Sequence, residues 1–141
     1  MTPELNARRD AAQATLLRFD GAAFRWSTND CTRLAAFHAR KMGHKPTMPK
    51  SGSYSSLLGA AKALKAAGFD SLTAAVDAMF TQIPPATALV GDLVALPGEG
   101  GWPALCVYLG NGRVLGFKDG RGGVLQPHHF VTAWRVPCLK R

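Results

Sequence analysis

The sequence predicts an α+β domain in which helices precede an antiparallel sheet. Up to residue 80, apolar side chains recur at helical spacing, with Ser, Thr or Asp at the predicted N-caps. From residue 92 on, short apolar runs alternate with turns rich in Gly, Asn and Asp. Because 141 residues suffice for one domain and not for two, we treat residues 1–141 as a single domain, with an N-terminal helix in 1–23 and the other elements in 24–136.

Four helices are predicted in the first half of the chain. Thr2-Pro3 supplies an N-cap and a first-turn proline for the first helix, and Asp30 and Ser71 cap the second and the fourth. Gly68 ends the third. The expected ranges are 3–19, 30–42, 54–67 and 72–80. The inward face of the third helix is expected to carry Leu57, Ala60, Ala61 and Leu64.

Five strands are predicted in the second half. Gly110-Asn111-Gly112 joins the second and third strands as a hairpin turn, because Asn and Gly tolerate the positive φ angles that tight turns require. The expected strands are 92–96, 104–109, 113–118, 124–126 and 132–136.

The composition excludes several classes of protein. Hydrophobic residues make up 47% of the chain and charged residues 18%, which is too apolar for a disordered chain. No apolar run reaches the roughly 18 residues that a membrane span needs, and the first ten residues lack the apolar core of a signal peptide. We therefore expect the protein to stay where it is made, unless it leaves as part of a larger particle.

The three cysteines are expected to be reduced thiols. Cys31, Cys106 and Cys138 are odd in number and widely spaced, which argues against a disulfide framework, and none forms a CxxC pair. We predict no cofactor and no metal.

The net charge of +8 is scattered along the chain and does not concentrate on one helix or strand. It fits a solvated basic surface, or attraction to an acidic protein, an anionic cell envelope or nucleic acid. Charge alone does not choose among these.

Cys31 is the first candidate for chemistry. It lies just inside a predicted helix N-terminus, where the helix dipole favours a thiolate. It also shares an apolar stripe with Leu34 and Ala35, and a small buried cysteine is the more common outcome.

Three landmarks together resemble the NlpC-type family of papain-like cysteine peptidases. They are Trp26-Ser27-Thr28-Asn29-Asp30-Cys31 before an apolar helix, Gly91-Asp92-Leu93-Val94-Ala95-Leu96, and the strand and hairpin from Pro103 to Gly112. The likeness covers residues 24–136 and is greatest to short members found among tail genes of phages and gene transfer agents. It implies a papain-like fold with Cys31 in the nucleophile position.

The chain departs from the active pattern of that family. Ala104 stands where the resemblance places the general-base histidine, and Gly116 or Phe117 falls near the third polar position. His128 and His129 are weak substitute bases, because an exposed loop pair is the simpler interpretation. The resemblance therefore implies an inactive catalytic set.

Side-chain alternation on the second predicted strand suggests which residues face the Cys31 helix. We expect Ala104, Cys106 and Tyr108 on that side, with Leu105 and Val107 opposite. An apolar pocket would raise the thiol pKa and oppose the helix dipole, and the sequence does not decide which effect dominates. Candidate partner-binding residues are Trp102, Arg8, Arg9 and Arg121.

We expect a structural protein of the phage tail tip or baseplate that uses an inactive peptidase fold as an assembly module. Its partners would be the tail hub and distal tail proteins, in a symmetric multicopy assembly, and it would reach the virion after assembly in the host cytoplasm. One alternative is an active cysteine hydrolase that cleaves peptidoglycan peptides during genome delivery. A weaker alternative is a basic nucleic-acid-binding module. No membrane partner is expected.

Overall fold

A computed structural model describes residues 2–46, 54–98 and 102–139. It is an α+β fold in which the helices pack on one face of a six-stranded antiparallel sheet. The helices are α1 (Pro3–Phe19), α2 (Cys31–Lys41), α3 (Leu57–Ala66) and α4 (Leu72–Asp77). The strands are β1 (Thr81–Ile83), β2 (Leu93–Leu96), β3 (Ala104–Gly110), β4 (Arg113–Lys118), β5 (Arg121–Leu125) and β6 (Thr132–Arg135), with a short 3₁₀ helix at Pro85–Thr87.

The starts of the first, second and fourth helices lie where the predicted caps Thr2, Asp30 and Ser71 place them, and the start of the third does not. The side chains of Thr2, Asp30, Ser56 and Ser71 each accept a hydrogen bond from a backbone N–H three residues later. The third helix starts at Leu57 and not at Tyr54, because Ser56 is its cap. Of its predicted inward face, only Ala60 is buried.

The sheet has one strand more than the sequence predicts. Its order is β1-β6-β2-β3-β4-β5, so β6 lies between β1 and β2. The additional strand, β1, has only three residues and none of them is buried, which leaves no apolar run to detect. Residues 99–101, between the strands predicted at 92–96 and 104–109, and residues 47–53, between the second and third predicted helices, lie outside the described residues.

Two tight turns set the register of the β3-β4-β5 meander. Asn111 and Gly112 have φ angles of 55° and 75°, and Asp119 and Gly120 have 53° and 80°. Positive φ at both central residues belongs to the type I′ turn, whose twist matches that of the strands it joins. The Asn111-Gly112 turn confirms the predicted hairpin.

Two apolar clusters lie on opposite faces of the sheet. The larger joins α1, α2 and α4 to sheet residues such as Leu105, Val107 and Trp134. The smaller is built around Val94, Cys106, Val114 and Ala133, with Tyr108 and Phe130 at its edge. The predicted orientation of β3 is therefore reversed: Leu105 and Val107 face the helices, and Cys106 faces away from them.

A buried ion-pair network joins the helical layer to the sheet. Arg8 of α1 is 1% exposed, and its guanidinium donates to the Asp92 carboxylate and to the carbonyls of Val90 and Val136. Arg135 donates to the second oxygen of Asp92 at 3.0 Å. The expectation that Arg8 belongs to a partner surface is therefore wrong, because its side chain is enclosed within the protein.

Among the helices of the described ranges, none is long and apolar enough to cross a bilayer.

Candidate functional site

Asp30 fixes the position of Cys31 at the start of α2. Its carboxylate accepts hydrogen bonds from the N–H of Arg33 at 2.9 Å, the N–H of Ser27 at 2.8 Å and the hydroxyl of Tyr54 at 2.7 Å. Asp30 is buried, so these bonds compensate the desolvation of its charge. With all three donors in place, Asp30 works as a structural cap.

The surroundings of the Cys31 sulfur disfavour the thiolate. Burial raises the pKa of Cys31 to about 11, and the negative charge of Asp30 adds to the rise. Hydrogen-bonding groups of Leu105, Thr32 and Trp102 favour the thiolate but do not reverse the effect. The net effect of burial and these neighbouring groups is a raised pKa, so the surroundings of Cys31 favour the neutral thiol.

The sheet residue that approaches Cys31 is Leu105. Its backbone lies within hydrogen-bonding reach of the thiol, and its side chain belongs to the same apolar cluster. Ala104, which the sequence alignment set in the base position, is the neighbour of Leu105 on β3 and pairs with Leu96 of β2. Because alternate side chains point to opposite faces, Ala104 lies on the face of Cys106, away from α2.

The positions considered for a third polar residue carry no polar side chain. Gly116 is buried on β4, and a Cβ there would lie 2.5 Å from the sulfur of Cys106. Any larger residue at this position would therefore require the Cys106 thiol to move. Phe117 packs against the helical cluster and has its ring centroid 6.1 Å from that of Phe19.

The side chains of two other histidines, His38 and His44, are held by hydrogen bonds to backbone carbonyls. His38 is fully buried, with Nε2 2.7 Å from the carbonyl oxygen of Gly91 and Nδ1 3.0 Å from the hydroxyl of Thr15. His44 lies after α2, where Nε2 is 2.6 Å from the carbonyl oxygen of Pro137. A carbonyl only accepts, so Nε2 of each ring carries a proton toward it.

His128 and His129 are exposed in the connection from β5 to β6. The next residue, Phe130, joins the smaller apolar cluster, with its ring centroid 6.0 Å from that of Tyr108. That cluster covers the sheet face opposite α2. The structure does not bring either histidine to Cys31, so neither is placed to act as a substitute base.

The remaining cysteines are structural in character. Cys106 and Cys138 are buried and unbridged, and burial raises the pKa of Cys106 to about 12. Across the described ranges, no group of three His, Cys, Asp or Glu side chains is arranged to hold a metal ion.

Beside Cys31 opens an apolar cleft of about 310 Å³. Its floor is formed by Leu93 and Leu105, its walls by α2, α3 and α4, and Trp102 borders it next to the cysteine. Lys45 is the one charged side chain among the described residues that line it. The sequence analysis missed this cleft, although alanines at helical spacing on α2 and α3 were a visible signal.

The candidate partner-binding residues other than Arg8 lie at or near the surface. Arg9 and Arg121 are exposed, and Arg121 donates to the carbonyl of Gly21 at 3.2 Å. Trp102 is half-buried and packs against the larger cluster, so it is both partly accessible and part of the core boundary.

The fold and the site define an α+β domain that carries a half-buried cysteine at a helix N-terminus, packed against an antiparallel sheet beside an apolar cleft. The chain belongs to a family described as a domain of unknown function (DUF6950), whose model matches residues 4–136. A search of the curated proteins found no match.

Proposed function

We propose that this chain is a catalytically inactive, NlpC-like module that serves as a structural protein of a phage or gene-transfer-agent tail tip. It would bind the tail hub or distal tail proteins. The observation that carries the loss of catalysis is the environment of Cys31, which has an apolar Leu105 and no imidazole in front of it.

The chemistry of a cysteine hydrolase explains why this environment matters. The nucleophile is a thiolate, and it needs a base or an imidazolium partner to form. A thiol with a pKa of about 11 is ionised in about one molecule in 10⁴ at pH 7. None of the four described histidines is placed to protonate a leaving amine, which is the second task of the histidine in such enzymes.

The cleft supports the same proposal. Stem peptides of peptidoglycan carry several charges, whereas the described lining has one charged side chain, Lys45, at its border. An apolar cleft stabilises apolar partners and penalises the burial of unpaired charge. A protein-binding role is therefore better matched to this site than hydrolysis of a charged peptide.

The proposal of a tail location rests on the resemblance of residues 24–136 to short tail-associated NlpC-type proteins. The net charge of +8 suits acidic neighbours in a multicopy assembly. Nucleic-acid binding is less well supported, because the basic residues do not gather on one element.

The reactivity of Cys31 tests the loss of catalysis. We expect slow alkylation of Cys31 in the folded protein at pH 7, with fast labelling only after unfolding, measured by peptide mass spectrometry that separates Cys31 from Cys106 and Cys138. Purified peptidoglycan incubated with the protein should release no peptides above the level seen with Cys31→Ala. Rapid labelling that persists to about pH 5, or peptide release that Cys31→Ala abolishes, would refute an inactive site.

Purified particles test the location. The chain should be present in intact tails, and cross-linking should connect it to hub or distal tail proteins, with Cys31→Ala incorporated as well as the unaltered protein. Absence of the chain from purified particles would contradict the structural role.

A further inference from the structure

The apolar cleft beside Cys31 has three helical walls with the same spacing. On α2 the lining residues are Thr32, Ala35, Ala36 and Ala39. On α3 they are Ala60, Ala63 and Leu64, followed by Ala67 at the C-cap. Residues 72, 75 and 76 of α4 and residue 79, just beyond its end, repeat the pattern. Each set follows i, i+3, i+4, i+7, which is the face that a helix turns toward another helix.

The walls are lined by small side chains, and this leaves the space between them open. Seven of the lining residues are alanine. On α3 only Ala60 is buried, and Leu64 packs against the larger cluster, so the other apolar side chains of this helix stay at least partly exposed among the described residues. The floor of Leu93 and Leu105 is buried beneath the opening.

The length of the groove matches two turns of a helix. From Thr32 to Ala39, and from Ala60 to Ala67, the walls extend seven residues, or about 10 Å at 1.5 Å per residue. Anchor side chains at i, i+4 and i+7 of a bound helix span the same distance. A volume of about 310 Å³ holds several aliphatic side chains but not a whole helix.

The charge at the groove indicates the polarity of its occupant. Lys45 is exposed and lines the groove, and no acidic residue is among the described lining residues. An acidic side chain on the occupant would meet Lys45, whereas a basic one would be repelled.

We propose that this groove binds an amphipathic, acidic helix of a partner protein, with aliphatic anchors at i, i+4 and i+7 in the cleft and a carboxylate at Lys45. This inference rests on the proposed function, since it names the kind of segment through which a tail partner would be held.

A synthetic peptide tests the groove. The probe has leucines at i, i+4 and i+7 on a background of alanine and glutamate, and it is titrated into isotope-labelled protein while backbone amide shifts are followed by NMR. We expect saturable shifts on residues 32–39 and 60–67. A matched peptide with the three leucines replaced by alanine should bind at least about tenfold more weakly, because the anchors supply most of the affinity.

Two pairs of variants locate the binding. Ala63→Leu fills the groove and should weaken binding at least about tenfold, whereas Ala66→Leu, exposed on the same helix, should leave it unchanged. Lys45→Glu should weaken binding several-fold, and Lys62→Glu, an equal charge change at an exposed position of α3, should have a smaller effect.

Three outcomes would overturn the proposal. The first is the absence of shifts at about 1 mM peptide. The second is equal peptide affinity of Ala63→Leu and Ala66→Leu. The third is tighter binding of decanoate than of the peptide at the same residues. Cys31→Ala is measured alongside and should bind the peptide normally. Cys31-dependent hydrolysis would then refute the proposed function alone, and loss of groove binding would refute the occupant alone.

Discussion

The buried side chain of His38 connects α1 to the start of the sheet and makes the stability of the fold depend on pH. Its ring bridges Thr15 of α1 and the carbonyl of Gly91 ahead of β2, and it is fully buried. Burial lowers the pKa of His38 to about 4, and the positive charge of Arg8 contributes, while Gly91 and Asp92 act in the opposite direction. The folded protein therefore holds this imidazole neutral.

The neutral His38 predicts a loss of stability in mild acid. The unfolded chain takes up a proton at His38 near pH 6.5 and the folded chain only near pH 4, so stability is intact above pH 6.5 and falls as pH drops toward 4. The loss amounts to about 3 kcal/mol in the free energy of unfolding. Urea unfolding between pH 7 and pH 4 should show this slope.

His38→Gln provides the comparison for that slope. The variant should be less stable at pH 7, because it loses part of the bridge to Gly91 and Thr15, but its stability should change less between pH 6.5 and 4. His129→Gln, at an exposed position, should retain the full slope. Equal slopes in His38→Gln and the unaltered protein would contradict the assignment.

At the scale of elements, the Asp30 cap holds α2 and the residues around Cys31 together. One carboxylate satisfies the N–H groups of Ser27 and Arg33 and the hydroxyl of Tyr54. Tyr54 lies just ahead of α3, so the cap also ties the approach to that helix to the start of α2. Burial, followed by the Asp30 carboxylate, raises the pKa of Tyr54 well above its ordinary value.

Removing the cap should destabilise the fold more than an ordinary N-cap loss. Asp30→Ala leaves three donors without their partner, so we expect a loss of about 2 to 4 kcal/mol, against about 1 kcal/mol for a typical cap. Ser71→Ala, which removes the exposed cap of α4, serves as the matched control and should cost about 1 kcal/mol. Denaturant unfolding measures both, and similar losses would show that the Tyr54 and Ser27 bonds add nothing.

Local signals explain which elements the sequence could predict. Caps such as Thr2 and Asp30, and turns such as Asn111-Gly112, act through neighbouring residues, so their positions could be read from the chain. The orientation of β3 could not, because apolar side chains occupy both of its faces and alternation alone does not say which face the helices cover. The three-residue β1 depends on β6, which lies 49 or more residues later in the chain.

The candidate site was only partly predictable, because some of its features depend on contacts between elements that are distant in the chain. Cys31 at a helix start followed from local spacing, whereas the lack of a base histidine was implied by the family resemblance, which sets Ala104 in that position. The approach of Leu105, and the open space between α2 and α3, depend on how distant elements meet. The sequence analysis placed Arg8 on a partner-binding surface, and this was wrong. Nothing in the sequence around Arg8 indicates that its side chain forms an ion pair with Asp92, which is distant in the chain.

At the scale of the whole molecule, one ion-pair network connects the two ends of the described chain to the sheet. The Asp92 carboxylate forms ion pairs with Arg8 of α1 and Arg135 of β6. It also accepts hydrogen bonds from the backbone N–H groups of Leu89 and Val136. Both Asp92 oxygens are therefore satisfied, as a buried carboxylate requires.

Breaking this network should have non-additive effects. Asp92→Leu leaves the Arg8 guanidinium buried without its charge partner, and should cost about 3 to 5 kcal/mol in the free energy of unfolding. Arg8→Met should also be strongly destabilising, whereas the double variant should lose less than the sum of the two by more than about 1 kcal/mol. Arg9→Met, at an exposed position beside Arg8, should cost less than about 1 kcal/mol. Additive losses in a double-mutant cycle would show that the two side chains are not coupled.

The position of β6 has a consequence for how the chain is made. β1 pairs only with β6, and β2 has β6 along one whole side, so both strands emerge from the ribosome long before the partner that joins them. Until residues 132–135 are synthesised, the nascent chain presents two unpaired strand edges, which are open to wrong pairing with other chains. β6 thus joins β1 to the rest of the sheet, and a chain that stops just short of residue 132 lacks the strand that links β1 to β2.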